Sequence, residues 1–130
     1  KDEFDTGYRN LLNFGHTIGH AIENASGLKD INHGEAVSMG MAVAMEISRN
    51  LGYLDESVLE DLKDLYDTLK LPFKIPRIDI EKLLNALKYD KKFTGNLNRF
   101  IILKKINRPV FCDNIKRQII LKSIHNCINN

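Results

Sequence analysis

Hydrophobic and polar positions along this chain repeat with the period of helices far more often than with that of strands. On a wheel of about 100° per residue, Leu11, Phe14, Ile18, Ala21 and Ile22 gather on one side. Arg9, Asn13, His16 and His20 gather on the other, as a single polar stripe. This pattern predicts a first helix from about Thr6 or Tyr8 to Asn24, stopped near Ser26 and Gly27, where a glycine can take the left-handed conformation. Gly15 and Gly19 share one flank, each at a cost of about 1 kcal/mol in helix propensity. Small residues so spaced let another backbone, or a ligand, come close.

Lys29 to Asn32 reads as a loop, and Asn32 followed by Glu35 reads as a capping box that places His33 in the first turn of a second helix. From Ala36 to Ile47 the residues are apolar nearly all the way round, which predicts a buried central helix ending at Asn50, Leu51 and Gly52. Met39, Met41 and Met45 are assigned to filling the core. Asp55 is expected to cap a third helix, with Val58, Leu59, Leu62, Leu65, Tyr66 and Leu69 at helical spacing and Leu71 and Pro72 closing it. A linker through Ile75 and Pro76 leads to Asp79, the expected cap of a fourth helix with Ile80, Leu83, Leu84 and Leu87 inward, ending at Tyr89 to Lys92. Gly95 and Asn96 turn the chain. Arg99 to Leu103 and Val110 to Cys112 are β-prone runs that read as a small hairpin, with Pro109 at a strand start or edge. Ile115, Ile119, Ile120, Ile124 and Ile128 form the stripe of a last helix. The expected fold class is mainly α: a multi-helix bundle with one small antiparallel β-hairpin.

Composition changes this picture little. A chain of 130 residues with 43% hydrophobic content is large enough for a core without disulfides or structural metals, and it is expected to fold as one domain. A formal net charge of +2, with lysines scattered rather than clustered among aromatics, argues against nucleic acid as a partner. Cys112 and Cys127 are isolated, without the spacing of a zinc knuckle or redox pair, so a reducing compartment is expected, with both thiols in the core. No apolar run approaches a membrane span, and Lys1 to Asp5 are charged where a signal peptide needs an apolar segment. The expected location is the cytoplasm.

The polar stripe carries the candidate chemistry. A solvated helix face ordinarily gains from paired lysines and glutamates, whereas this one shows a cation, an amide and two imidazoles. Imidazole is the commonest protein ligand for zinc, and His16 and His20 point the same way, with His33 close by at a helix mouth. Two of these histidines give a divalent metal two neutral nitrogen ligands if His33 swings toward the stripe, but a catalytic zinc needs three protein ligands, so a ligand is missing. Glu23 reads as a support that orients a histidine and Glu35 as a capping residue. Thr17 after His16 excludes the helical H-E-x-x-H zinc motif, and there is no G-x-S-x-G elbow, Walker loop or G-x-G-x-x-G turn. Arg9 offers a planar fork to a carboxylate or phosphate, and Lys91 and Lys92 offer ammonium groups to another anionic end of a ligand. Such a site suits an anionic, hydroxylated small molecule held against a metal.

Taken together, Arg9, the run Leu12-Asn13-Phe14-Gly15-His16-Thr17-Ile18-Gly19-His20-Ala21-Ile22-Glu23, His33-Gly34-Glu35-Ala36-Val37, Gly40-Met41 and Asp90-Lys91-Lys92 closely resemble the 3-dehydroquinate synthase family. The resemblance runs through Arg99 to the end of the chain and covers the C-terminal helical half of such an enzyme. It implies that residues 1–130 are a metal- and substrate-binding domain, with the N-terminal NAD-binding domain absent from the chain. The implied reaction converts 3-deoxy-D-arabino-heptulosonate 7-phosphate to 3-dehydroquinate and phosphate in the shikimate pathway, with a divalent metal, zinc or cobalt, and a catalytic NAD. His16 and His33 become metal ligands, the third being a glutamate from the other half. Asn13 and His20 become catalytic, and Arg9, Asn13, His20 and Lys91 bind substrate, with Lys92 the alternative phosphate contact. Asp5 stands where many relatives have Glu. The resemblance further implies a homodimer when complete, and no synthase activity in this chain alone. The alternatives are another sugar-phosphate cyclase or metal-dependent polyol dehydrogenase of the same superfamily, and a non-catalytic helical metal-binding module.

Overall fold

The computed structural model describes residues 18–25, 31–76, 78–88, 99–105, 108–113 and 115–129, with side chains at 18–25, 31–76, 78–85 and 115–128. Residues 18–25 are helical (α1). They are followed by α2 (His33–Asn50), α3 (Glu56–Thr68), α4 (Ile80–Lys88), β1 (Arg99–Lys105), β2 (Arg108–Asp113) and α5 (Arg117–Asn129). The fold is mainly helical.

α2 is the axis of the molecule, and its sequence explains why. Its residues from Ala36 to Ile47 are apolar on almost every side, and Ala36, Ala42, Ala44 and Ile47 are wholly buried. α1 lays Ile18, Ala21 and Ile22 into the same core, α3 adds Leu59, Leu62 and Tyr66, α4 adds Leu83, and α5 adds Ile120, Ile124 and Cys127. Fully burying a Val, Ile or Met side chain contributes about 1.5–3 kcal/mol, so Met39, Val43, Met45 and Ile47 give α2 a large share of the stability. β1 also lies against α2 and pairs antiparallel with β2, Phe100 opposite Cys112 and Leu103 opposite Pro109. In a two-stranded sheet each strand has an unpaired edge, so Pro109 need not break a ladder.

The helix ends follow local chemistry. Asn32 caps α2: its side chain accepts from the Glu35 amide at 2.8 Å, and the Glu35 carboxylate accepts from the Asn32 amide at 3.1 Å. At the other end Gly52 takes φ +89°, and the Tyr53 amide donates to the Ser48 carbonyl. α3 closes in the same way, the Leu71 amide donating to Tyr66, but with Lys70 in the left-handed position at φ 58°. Asp79 caps α4, accepting from the Glu81 amide at 2.9 Å.

One expectation about α3 is corrected: Asp55 occupies its N-cap position but makes no side-chain capping bond. Leu65 and Leu69 keep the helical spacing read from the sequence, yet they are 51% and 57% exposed. The physical reason is that α3 touches the core along the narrow line of Leu59, Leu62 and Tyr66, and Leu65 lies about a quarter-turn away from it. The expected inward Leu87, the turn at Gly95 and Asn96, and the side chain of Cys112 lie outside what is described.

A polar cluster inside the bundle was not anticipated. Glu46, wholly buried in the middle of α2, accepts from Arg49 Nη2 at 2.8 Å and from Asn126 Nδ2 of α5 at 3.2 Å, with Lys63 Nζ of α3 at 3.9 Å. Asn50 donates to Ser123 at 2.9 Å and so adds a second link between α2 and α5. Among the described residues no buried side-chain nitrogen or oxygen lacks a partner. Burial works against the Arg49 cation, but the Glu46 hydrogen bond and charge outweigh it and raise its pKa.

Candidate metal and substrate site

The site is assembled where α1 crosses the start of α2. Gly19 makes that crossing close: a Cβ there would sit 2.8 Å from the Ala36 carbonyl oxygen and 3.0 Å from the Val37 amide nitrogen. Any side chain would have to push the two backbones apart, since neither contact is a flexible side-chain end. The helix-propensity cost of glycine is accepted here so that two main chains can touch.

The crossing brings one side of α1 over the N-terminus of α2. His20 is exposed, while its neighbours Ile18, Ala21 and Ile22 are buried, so the division into an apolar back and a polar front holds over the described part of α1. His33 is the first residue of α2, positioned there by the capping box one residue earlier. The His20 and His33 rings lie edge to face, with centroids 6.5 Å apart and an interplanar angle of 81°. Glu23, one turn along α1 from His20, reaches across the crossing to put Oε1 3.3 Å from His33 Nδ1. The Glu23 side chain is 15% exposed and that of His33 54%, so the carboxylate holds the imidazole from the protein side.

Arg9, Asn13, His16 and Lys91 lie outside the described residues. His20 and His33, by contrast, are brought together with Glu23. Glu35 is engaged in the capping box, as expected from the sequence.

As part of a donor set for a divalent metal, His33 is chemically suitable: an accessible imidazole with one nitrogen held by a carboxylate is how protein histidines ordinarily present the other to zinc. Among the described residues, no group of three or more His, Cys, Asp or Glu side chains gathers into a site able to hold a metal. A two-histidine contribution needs a further ligand in any case.

A family model described as 3-dehydroquinate synthase C-terminal matches residues 1–93. The chain is 41% identical over 128 residues to the 3-dehydroquinate synthase of Clostridium tetani, an alignment covering 98% of this chain and 34% of that protein. It is 40% identical over 126 residues to the 3-dehydroquinate synthase of Thermosynechococcus vestitus, covering 96% and 34% respectively. The chain thus spans about a third of the length of the curated relatives it matches. Among solved structures, a 2-epi-5-epi-valiolone synthase from Streptomyces hygroscopicus, with NAD+ and Zn2+ bound, superposes with a TM-score of 0.76 at 25% identity, covering 88% of this chain and 31% of that one. A 2-deoxy-scyllo-inosose synthase complexed with carbaglucose-6-phosphate, NAD+ and Co2+ shares the fold, with a TM-score of 0.69 at 24% identity, covering 88% and 34%.

Proposed function

This chain belongs to the 3-dehydroquinate synthase C-terminal family, and on that premise we propose that it supplies the metal- and substrate-binding part of such an enzyme. The reaction is conversion of 3-deoxy-D-arabino-heptulosonate 7-phosphate to 3-dehydroquinate with release of phosphate. The observation that carries the reading is the close crossing at Gly19, which sets His20 and His33 beside each other at the mouth of α2. The greater identity to curated 3-dehydroquinate synthases than to the valiolone synthase favours this reaction over that of another sugar-phosphate cyclase.

In this reading His16 and His33 hold the divalent metal, zinc or cobalt, together with a glutamate from the preceding domain, which also binds most of the NAD. When bound, the metal lends Lewis acidity to a substrate hydroxyl and NAD accepts and returns a hydride. The chain's own residues position and move protons. Arg9 forks the substrate carboxylate, Lys91 meets the phosphate, and Asn13 fixes a hydroxyl by hydrogen bonding. His20 is not a ligand: its exposed imidazole, beside His33, holds or moves a proton at the substrate oxygen. The complete enzyme works in the cytoplasm as a homodimer.

The test is to replace the matching third of the Clostridium tetani enzyme with this chain and follow phosphate release from the substrate with zinc and NAD supplied. The expected result is turnover that falls by about a thousandfold or more with His33→Ala and by about a hundredfold or more with His20→Ala, the scale of losing a metal ligand and a general acid–base. A folded chimera that releases no phosphate contradicts the proposal.

A further inference from the structure

The contact between Glu23 and His33 joins residues from two helices, and neither helix needs it to fold: α1 is buried through Ile18, Ala21 and Ile22, and α2 is capped by Asn32. The carboxylate Oε1 lies 3.3 Å from His33 Nδ1, the ring nitrogen nearer the backbone. Which imidazole nitrogen carries the proton is set by the partner of the other. A carboxylate is acceptor only, so at this distance it selects the form with hydrogen on Nδ1 and the lone pair on Nε2.

We infer that Glu23 is a positioning residue for His33, donating nothing to the reaction itself but fixing the imidazole as its Nδ1–H tautomer, so that Nε2 is presented to a divalent metal. This deepens the proposed function and rests on its assignment of His33 as a ligand. The inference distinguishes Glu23 from Glu35, whose carboxylate is occupied by the Asn32 amide in the capping box. It also explains why Glu23 supports a histidine on a different helix rather than His20 on its own: a partner on α2 ties the ligand's orientation to the close crossing at Gly19. The carboxylate would also make the imidazole a stronger donor, as it does in other carboxylate–histidine–zinc arrangements.

The test reads the tautomer directly. In the 15N-labelled chain without metal, at about pH 8.5, above the ordinary histidine range, long-range 1H–15N correlation spectra are expected to show His33 protonated at Nδ1. Glu23→Ala is expected to shift His33 toward the Nε2–H form and to weaken zinc binding by about 10–100-fold, the usual scale for a lost supporting carboxylate. Glu23→Gln, whose amide oxygen still accepts, is expected to fall between. A residue that merely held the fold would leave the tautomer unmoved in a folded variant. His33 carrying its proton on Nε2 in the unsubstituted chain would overturn the inference, as would unchanged zinc affinity in folded Glu23→Ala. His33→Ala separates the two levels: if zinc binding survives it, the ligand assignment fails; if it abolishes binding while folded Glu23→Ala binds zinc as tightly as the unsubstituted chain, only the role of Glu23 fails.

Discussion

At the scale of single residues, Gly19 sets the geometry on which the site depends. Gly19→Ala would gain about 1 kcal/mol of helix propensity in isolation, yet its Cβ would meet the Ala36 carbonyl oxygen at 2.8 Å. Because the obstacle is backbone, the clash wins, and the expected net effect is a loss of about 1–3 kcal/mol, the range for overpacking a tight contact. Urea denaturation of the two chains checks this; a more stable Gly19→Ala would mean that the helices do not touch there. Glycine at this position was legible in the sequence as a site of close approach, though not what approaches. Cys127, expected in the core, is wholly buried, and burial, followed by the Glu46 charge, pushes its thiol pKa up, so it is inert at neutral pH rather than a redox group.

Elements were the more legible level where the physics is local. The capping box at Asn32, the apolar run of α2, the stop at Gly52 and the cap at Asp79 each depend on a few neighbouring side chains, and each stands where the sequence puts it. Burial within a helical stripe is less legible: Leu65 and Leu69 keep helical spacing yet stand exposed, because the width of a helix's buried face depends on how many neighbours it has, which periodicity alone does not specify. The Glu46 cluster escaped for a similar reason. Its signal was a lone glutamate between Met45 and Ile47, but its partners Lys63 and Asn126 come from α3 and α5, far along the chain. A buried carboxylate with one cation removed is costly, so Arg49→Leu is expected to destabilise the chain by about 2–4 kcal/mol. Arg117→Leu, which breaks an exposed pair with Glu81 at 3.7 Å, is expected to cost at most about 0.5 kcal/mol. Equal thermal-melting shifts for the two variants would argue against a structural role for the cluster.

At the scale of the molecule, α2 links stability to the site: its middle forms the core and its first residue is the candidate ligand His33. The sequence predicts a polar stripe because four residues of unusual type fall on one side of a helical wheel; of the four, His20 lies among the described residues, and it is outward while Ile18, Ala21 and Ile22 are inward. Glu23 reads from the sequence as a support for a histidine, but that the histidine it meets is His33 does not, since it depends on the angle at which two helices cross. Under the proposed function this chain provides two ligands of a metal site completed by another domain. Calorimetric titration of zinc into the chain and its His16→Ala, His33→Ala and His20→Ala variants tests it most directly. Two imidazoles without a third protein ligand should give weak binding, lost in both His16→Ala and His33→Ala and retained in His20→Ala. Tight binding that survives His33→Ala, or binding that depends on His20 instead, would contradict the claim.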